Sequence, residues 1–446
     1  MMIRASTKNV SWVKLAWVLF AVGCASGADA EDVLDEFATS SSGGEDAGDP
    51  FEGGETHLDP WTPGDEGTGS SDGTDTTDTG NLEDCAPPVS PPSVVWATTN
   101  TLQVLAIDAD ATTVGSTFAA PLPASVADAV AVSQHGDAGL SFVALGSGER
   151  TIAVYRRDLA DCVDTNGEPG IQTSAGTMDL LDFEDDECIA WSTVLTGDTG
   201  EFGALAWGRG TWSTEECRWH DADLWVGRTR FGFFSDEAEV VRVDGQTGDV
   251  LASIVVPDLT KLVDLSVDAN GEVWVVGPGN RLGRLDPQTQ QYTSVDDGVT
   301  GDVSHRGLTI DPEGRVWRCT LTAVQRVSPE SGQVLSIPGP FDFLRDCAVD
   351  SGGRLWVAAN DATGSGADLT AYSLETLDLL QQQDLGTQST LTLAVDEEGR
   401  VWRTTPQQFQ RWDPATGELI GLELPDELAS SSPGRLATAS SLWLGG

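Results

Sequence analysis

Short apolar runs separated by polar, glycine-containing turns fill the second half of this 446-residue chain. One phrase recurs four times: VDANGEVW (267–274), IDPEGRVW (310–317), VDSGGRLW (349–356) and VDEEGRVW (395–402). The apolar residues on either side of the polar centre predict two antiparallel strands joined by a turn. The run after each turn does not alternate with polar residues, which is typical of a strand covered on both faces.

The centre of each phrase has the chemistry of a tight turn. The aspartate can bond through its side chain to the backbone two residues on, and the glycine supplies a positive φ. The residues concerned are Asp268 with Gly271, Asp311 with Gly314, Asp350 with Gly353, and Asp396 with Gly399. A second phrase, RVDGQTG (242–248), RLDPQTQ (284–290), RVSPESG (326–332) and RWDPATG (411–417), predicts the turn of a second hairpin in the same unit.

The tryptophans of the first phrase are 43, 39 and 46 residues apart. This period is that of β-propeller blades, so the sequence predicts an all-β propeller over residues 91–446. Weaker repeats surround Trp96, Phe142 and Trp225, and a last half-unit ends at Trp443. We count seven blades, and six or eight stay open because the last half-unit must complete the first blade. Closure of this kind joins the chain ends and removes exposed sheet edges.

The first 24 residues contain three basic residues and no acidic one, followed by an apolar run over residues 15–22. This composition predicts a secretory signal peptide, since the run is too short to span a bilayer as a helix. Its end, Ala21-Val22-Gly23-Cys24, resembles the lipobox of bacterial lipoproteins. That resemblance implies a lipidated Cys24 and attachment to the bacterial cell envelope as an outer membrane lipoprotein. The alternative is cleavage after Ala30, which leaves a soluble secreted protein.

Residues 25–90 have the composition of a linker. They contain eighteen acidic residues and no lysine or arginine, and most of the others are Gly, Ser, Thr and Pro. Such a segment cannot bury enough apolar surface to fold, so we expect a disordered, self-repelling tether.

The acidic bias continues beyond the tether. Outside the signal and tether, 53 acidic and 21 basic residues leave a net charge of about −32. Nucleic acid and anionic membrane surfaces are therefore poor partners, whereas cations and basic surfaces are compatible with the charge. The simpler interpretation is that the charge keeps the protein soluble.

Six cysteines remain when Cys24 is set aside, an even number in an exported protein, which predicts three disulfides. Cys162 with Cys188 brackets an insertion at residues 159–189, and Cys319 with Cys347 ties one blade to the inner strand of the next. Cys85 with Cys217 follows by elimination.

The insertion contains a candidate calcium loop. Oxygen-bearing residues occupy positions 1, 3, 5 and 7 of the calcium-loop template: Asp164, Asn166, Glu168 and Gly170. Two positions depart from the template, with Pro169 in place of glycine and Ala175 in place of the closing glutamate. Six acidic residues between positions 179 and 187 can supply the missing carboxylate. The alternative is an acidic, disulfide-clamped loop without an ion.

Catalytic signals are few. Beyond the tether the chain has His135, His220 and His305, and it lacks the His-Glu-x-x-His, Gly-x-Ser-x-Gly and Cys-x-x-Cys motifs. His305 precedes the inner strand of a blade, a place that opens towards the central channel, with Arg306, Arg345 and Asp346 at about the same level. A structural or surface histidine is the alternative.

The units over residues 271–295 and 314–337 resemble repeats of the virginiamycin B lyase and NHL propeller group. Those lyases are metal-dependent and use histidine with acidic residues at the channel mouth, which would imply a role for His305. Their blades continue past tryptophan with Phe-Thr-Glu, whereas this chain has Val-Val-Gly, Arg-Cys-Thr, Val-Ala-Ala and Arg-Thr-Thr, so the acidic partner is missing. The first phrase also resembles the Asp-box turn of sialidases, but no arginine triad with a tyrosine nucleophile accompanies it.

Because no catalytic set is visible, we expect a surface-anchored, non-enzymatic binding or scaffold propeller whose loops engage a protein, a glycan or a small ligand. The alternative is a metal-dependent lyase or hydrolase at the channel mouth. Two or more carboxylates with His305 around one point would favour the enzyme, and a channel filled with apolar side chains would favour the binding module.

Overall fold

The structure is a computed structural model in which the chain divides into two units, residues 1–78 and 79–446. All the described residues belong to the second unit. They are 94–99, 103–110, 113–119, 127–131, 140–146, 151–156, 189–195, 200–208, 210–215, 218–220, 222–232, 235–278, 281–295, 305–329, 331–337, 341, 343–360, 366–422, 424 and 433–438. No helix occurs among them, so no described helix is long and apolar enough to cross a membrane.

Seven four-stranded antiparallel sheets lie within this part of the chain. With strands numbered in chain order, the first sheet has the order β3-β2-β1-β30 and contains β1 (Val94–Thr99), β2 (Gln103–Asp108), β3 (Thr113–Ala119) and β30 (Pro433–Thr438). The second contains β4 (Ala127–Ala131), β5 (Leu140–Gly146), β6 (Thr151–Arg156) and β7 (Ile189–Val194). The third has the order β13-β12-β11-β8 and contains β8 (Gly200–Trp207), β11 (Leu224–Arg230), β12 (Glu237–Val243) and β13 (Val250–Val255).

The other four sheets each use four consecutive strands. The fourth contains β14 (Asp264–Val267), β15 (Val273–Gly277), β16 (Arg281–Asp286) and β17 (Gln291–Val295). The fifth contains β18 (His305–Ile310), β19 (Val316–Thr320), β20 (Val324–Val327) and β21 (Val334–Ile337). The sixth contains β22 (Phe343–Val349), β23 (Arg354–Asn360), β24 (Ala367–Ser373) and β25 (Leu379–Asp384). The seventh contains β26 (Leu393–Val395), β27 (Val401–Thr404), β28 (Phe409–Asp413) and β29 (Glu418–Gly421).

The sheets are arranged in a closed ring. One edge strand of each sheet, which we count as its first strand, contacts the corresponding strand of the next sheet. These contacts run in the cycle β30, β4, β8, β14, β18, β22, β26 and back to β30. Each sheet therefore presents one strand to the centre and one to the rim, which is the architecture of a β-propeller. The all-β propeller predicted from the repeat period is confirmed.

The C-terminal strand closes the ring. β30 pairs antiparallel with β1 and completes the first sheet, with Trp96 opposite Ala437. The first and seventh sheets also share a buried apolar cluster that includes Leu105, Trp402 and Phe409. Trp443, on which the half-unit was recognised, lies outside the described residues.

Tryptophan fills the spaces between sheets. Trp274, Trp317, Trp356 and Trp402 are fully buried, each with a relative exposure of 0%. Trp274 packs in the cluster that joins the fourth and fifth sheets, and Trp356 meets Trp412 edge-on with ring centroids 5.4 Å apart. Burying a large aromatic side chain removes 150–250 Å² from water. The repeated tryptophan thus contributes a large buried apolar surface to the contact between neighbouring sheets.

The disulfide predicted between Cys319 and Cys347 is confirmed. Cys319 lies on β19 of the fifth sheet and Cys347 on β22 of the sixth, with Cα atoms 6.2 Å apart. The bond therefore links a second strand to the inner strand of the next sheet. The other predicted disulfide cysteines, Cys85, Cys162, Cys188 and Cys217, lie outside the described residues, as does Cys24.

Candidate functional site

Each repeat turn is built around a buried aspartate. Asp268 accepts hydrogen bonds at Oδ1 from the backbone N–H groups of Asn270 (2.8 Å) and Glu272 (3.0 Å), and its Oδ2 accepts from Trp274 Nε1 at 3.1 Å. Gly271 has φ = 79° and donates its N–H to the Asp268 carbonyl. A positive-φ glycine after a tight turn gives a hairpin with a bulge, so the turn and the following tryptophan form one unit.

In the other three repeats an arginine four residues on also binds the aspartate. Arg315 donates its backbone N–H to Asp311 Oδ1 at 2.8 Å and its Nε to Oδ2 at 2.5 Å, while Trp317 Nε1 donates to Oδ2 at 2.7 Å. Asp350 with Arg354 and Trp356, and Asp396 with Arg400 and Trp402, repeat this arrangement.

These contacts qualify the sequence prediction. All four aspartates accept from the N–H four residues on, and Asp268 also accepts from the N–H two residues on, as the sequence predicts. In the other three repeats the side chain of the arginine four residues on also holds the carboxylate. Burial raises the pKa of Asp396, against the lowering effect of the hydrogen bonds from Trp402 and Arg400. We call each such aspartate, with the backbone N–H groups and the tryptophan that it binds, a clasp; its role is structural.

The second repeated phrase forms the turn between the third and fourth strands of a sheet. Asp244 Oδ1 accepts from the backbone N–H groups of Gln246 and Thr247 at 2.8 and 2.9 Å, and Gly248 has φ = 78°. Backbone hydrogen bonds from Thr289 and Gln288 lower the pKa of Asp286 in the same way. The turn predicted from this phrase is confirmed.

Carboxylates on two inner strands bridge to the next sheet. Asp264 on β14 accepts from the backbone N–H of Leu308 at 2.8 Å, and Asp346 on β22 accepts from Leu393 at 2.8 Å. Their second oxygens accept from the N–H of the following residue, Leu265 and Cys347 respectively. Both carboxylates therefore link adjacent inner strands through the backbone. The sequence interpretation did not find Asp264, although it lies three residues before the Val267-Asp268 pair just as Asp346 precedes Val349-Asp350.

Gly307 on β18 occupies the corresponding position in the fifth sheet. A Cβ at Gly307 would lie 2.5 Å from Asp346 Oδ1, and that carboxylate is held by Cys347 and Leu393. We expect Gly307→Ala to lower the free energy of unfolding by about 1–3 kcal/mol through overpacking. Urea denaturation checks this. In an Asp346→Ala background, Gly307→Ala should lower the free energy of unfolding far less. An equal loss in both backgrounds would show that the Asp346 carboxylate is not the group against which the added methyl packs.

His305 is the first residue of β18 and so lies at the start of an inner strand, next to the strand that carries Asp346. Within the described ranges, no group of three or more His, Cys, Asp or Glu side chains is placed to hold a metal ion. The calcium-loop candidates Asp164, Asn166, Glu168 and Gly170 lie outside the described residues. Their place in the chain is between β6 and β7, which pair through Tyr155 and Ile189.

The two ends of the ring are distinguished by their turns. In an antiparallel sheet, the turn between strands one and two lies at the same end as the turn between strands three and four. We call this the aspartate end, because it carries the turns of Asp268, Asp311, Asp350 and Asp396. Contacts between sheets agree with this assignment, since Arg326 donates to the Leu374 carbonyl at 3.3 Å, and Arg400 on the turn of Asp396 donates to Asp110 at 2.6 Å. His305, at the start of a first strand, belongs to the opposite end.

Two connections between strands differ from the repeat, and both begin and end at the aspartate end. Residues 157–188 connect the third and fourth strands of the second sheet, and residues 208–223 connect the first and second strands of the third sheet. The second of these contains an extra hairpin, β9 (Thr211–Ser213) and β10 (Arg218–His220), which forms its own two-stranded sheet with Trp212 opposite Trp219. Sequence periodicity did not reveal this hairpin, whose strands are only three residues long.

The ends of the two connections contact each other through the turn that contains Gly245. Trp191, on the strand that follows residues 157–188, donates through Nε1 to the Gly245 carbonyl at 3.0 Å. Gly245 in turn lies against Ala222 at the base of the hairpin connection, since a Cβ there would be 2.0 Å from the Ala222 carbonyl oxygen. The base is closed by Gly208, whose N–H donates to the Asp223 carbonyl at 2.8 Å. Both connections thus leave from one site on adjacent sheets.

The hairpin base is further fixed by a buried carboxylate. Asp223 is 6% exposed and accepts from Arg242 Nε at 2.5 Å. The Arg242 guanidinium lies over Trp225, 5.6 Å from the ring centroid, which adds a cation–π contact. The residues at the base of this connection are therefore held by a buried ion pair and by an aromatic contact.

No protein-family model matches the chain, and none of the curated proteins matches it. Among solved structures, a catalytically inactive virginiamycin B lyase from Staphylococcus aureus with quinupristin is similar over 50% of this chain and 71% of its own, with 16% identity and a TM-score of 0.39. The β-propeller domain of Cps50 (Swd1) from Myceliophteria thermophila is similar over 67% of this chain and 87% of its own, with 12% identity and a TM-score of 0.47. These similarities concern the fold alone.

Proposed function

We propose that the protein is a surface-anchored, non-enzymatic binding propeller whose aspartate end engages its ligand through the connections 157–188 and 208–223. The observation that carries this proposal is that these two connections begin and end next to each other on adjacent sheets, where Gly245 contacts both Trp191 and Ala222. Binding residues are concentrated on loops held by a rigid scaffold, because loops can vary without disturbing the core. Here the scaffold is the ring of buried aspartate and tryptophan clasps.

The chemistry of the ligand follows from charge. The chain carries a formal net charge of −47, and the turn that contacts both attachment points carries Asp244 and Asp249. A basic protein surface, a cationic small molecule or a neutral glycan is compatible with this field, whereas a nucleic acid is repelled.

A hairpin replacement tests the proposed function. Residues 209–222 are replaced by the three residues Ala-Asn-Gly of the repeat turn, which Gly208 and Asp223 can flank because they are hydrogen-bonded to each other as Asp268 and Glu272 are in the fourth sheet. The matched control shortens residues 361–365, between β23 and β24 at the opposite end. Binding is measured on arrays of glycans and of basic and acidic proteins. We expect the hairpin variant to lose the ligands that the wild type binds and the control to keep them; ligands retained by the hairpin variant would contradict the proposal.

The second candidate function is a metal-dependent lyase or hydrolase at the opposite end of the ring. The observation in its favour is that His305 begins an inner strand beside the strand carrying Asp346. Against it, both oxygens of Asp346 and of Asp264 already accept backbone hydrogen bonds. Divalent metal-dependent bond cleavage that His220→Ala, at the other end of the ring, leaves intact and His305→Ala abolishes would establish the enzyme.

We also propose that Asp164, Asn166, Glu168 and Gly170 bind calcium in the segment that Cys162 and Cys188 enclose. An ion that binds only the folded state raises the melting temperature by mass action. Millimolar calcium should therefore raise the melting temperature, and Asp164→Ala should remove the shift while Asp72→Ala in the linker should not. The affinity should be weak, about 10⁻⁴ to 10⁻³ M, since the closing glutamate is replaced by Ala175. Calcium-independent melting of the wild type would leave an acidic loop without an ion.

A further inference from the structure

The rim of the sixth sheet has an exposed apolar edge. β25 is the last strand of that sheet in the order β22-β23-β24-β25, so within the described residues its outer edge is not paired with another strand. Leu379 and Leu380, consecutive residues on this edge, are 56% and 53% exposed. Unpaired N–H and C=O groups beside exposed apolar side chains are the features on which an additional strand pairs.

The edge carries few of the features that prevent pairing. Natural sheet edges are commonly protected by lysine, proline or a bulge. β25 has no lysine or proline, and its register shift is confined to Leu380, so Gln381 to Asp384 pair regularly with β24. Three consecutive glutamines, Gln381, Gln382 and Gln383, add side-chain donors and acceptors along the regular part of the strand.

The last two strands of the sixth sheet carry only acidic charges. Residues 367–385 contain no lysine or arginine and four acidic residues: Asp368, Glu375, Asp378 and Asp384. All four are exposed, and Asp368 lies directly opposite Asp384 in the register of β24 and β25. Like charges directly opposite each other destabilise a strand pair. The charge of Asp384 interacts with the guanidinium of Arg403. That guanidinium is buried, however, and donates its hydrogen bonds to the Leu385 carbonyl and the Gln410 side chain. A cationic group from outside would relieve the repulsion.

We propose that β25 is a docking edge for an extended segment of a partner protein in which apolar residues alternate with lysine or arginine. The backbone of the segment would extend the sixth sheet by one strand, its apolar residues would cover Leu379 and Leu380, and its cations would lie beside Asp368 and Asp384. A second copy of this chain does not fit, because its own edge is acidic and each chain carries a net charge of −47.

The third sheet offers a matched control. β13 is also a rim strand, it exposes Val250 and Leu251 at 48% each, and its bulge occurs at the equivalent position. The equivalent stretch, residues 237–256, contains four acidic residues and Arg242, and no acidic residue lies opposite another in the register of β12 and β13. This edge therefore lacks the pair of facing carboxylates to which we assign the cations of the segment.

The probe is a short capped peptide of alternating lysine and valine, titrated into the full-length protein and followed by fluorescence anisotropy. We expect the double variant Leu379→Lys, Leu380→Lys to weaken binding by about tenfold or more, and the double variant Val250→Lys, Leu251→Lys, with the same change of charge, to weaken it by less than about threefold. The four side chains are exposed, so both variants should fold. An equal loss in the two variants would mean general attraction to an acidic protein and would overturn the proposal.

Hydrogen exchange separates strand addition from adhesion of side chains. Strand addition should slow the exchange of backbone amides between Gln381 and Asp384 in the wild-type protein when the lysine–valine peptide is bound, whereas a glutamate–valine peptide should have no effect. Unchanged amide exchange with the basic peptide bound, or equal protection by the acidic peptide, would overturn the proposal. This edge is separate from the connections at the aspartate end, so the hairpin replacement described above should leave the peptide affinity unchanged.

Discussion

Replacing Asp311 by asparagine is expected to lower the free energy of unfolding by about 3–5 kcal/mol, the range for breaking a buried charge pair by removing one partner. Asp311 has 0% exposure, and its Oδ2 accepts from both Trp317 Nε1 and Arg315 Nε. An asparagine of the same shape would either point its NH₂ group at these two donors or turn it towards the backbone N–H of Arg315. In each case a buried donor loses its acceptor.

Glu313→Gln is the control for this prediction. Glu313 also pairs with Arg315, at 2.6 Å, but its side chain is 60% exposed, so removing its charge should cost less than about 1 kcal/mol. Urea denaturation of both variants, monitored by tryptophan fluorescence, gives the comparison. Similar losses in the two variants would show that the buried clasp does not stabilise the repeat more than a surface ion pair does.

Replacing Cys24 by serine is expected to release the protein from the membrane fraction completely and to abolish its labelling by a fatty-acid analogue. The physical reason is that serine lacks the thiol to which a lipid is attached, and the apolar run before it is too short to hold the chain in a bilayer as a helix. Cys85→Ser, at the far end of the acidic linker, should keep both the label and the membrane association. A Cys24→Ser protein that still sediments with membranes would contradict the lipoprotein interpretation.

Local turn chemistry was the part of the fold that could be read from the sequence. Gly271 and Gly248 have the positive φ that the two repeated phrases predict, because the turn depends on a few adjacent residues. The period of the tryptophans indicated a propeller because each repeat must cover its neighbour. A constant spacing of six residues from aspartate to tryptophan was also visible, as in Asp350 and Trp356, but its meaning, a hydrogen bond from the indole to the carboxylate, required the hairpin geometry.

Hydrogen bonds between sheets could not be predicted in this way. Asp346 binds the backbone N–H of Leu393, 47 residues away, and Trp191 binds the Gly245 carbonyl, 54 residues away. Backbone acceptors and donors carry no sequence signal, so such bonds become visible only when the ring is assembled. For the same reason the shared attachment of residues 157–188 and 208–223 was not apparent, although the insertion itself was recognised from the interrupted repeat.

The claim that residues 91–446 form one ring closed by β30 is tested most directly by limited proteolysis followed by native mass spectrometry. Proteases should remove the acidic linker and leave one resistant species of roughly 360 residues, from near Cys85 to Gly446, that retains both β1 and β30. Closure through the Trp96–Ala437 pair predicts that this species persists as a single mass even after a cut within residues 157–188 and reduction of the disulfides. Several smaller fragments that are stable and separate from one another would contradict a single closed ring.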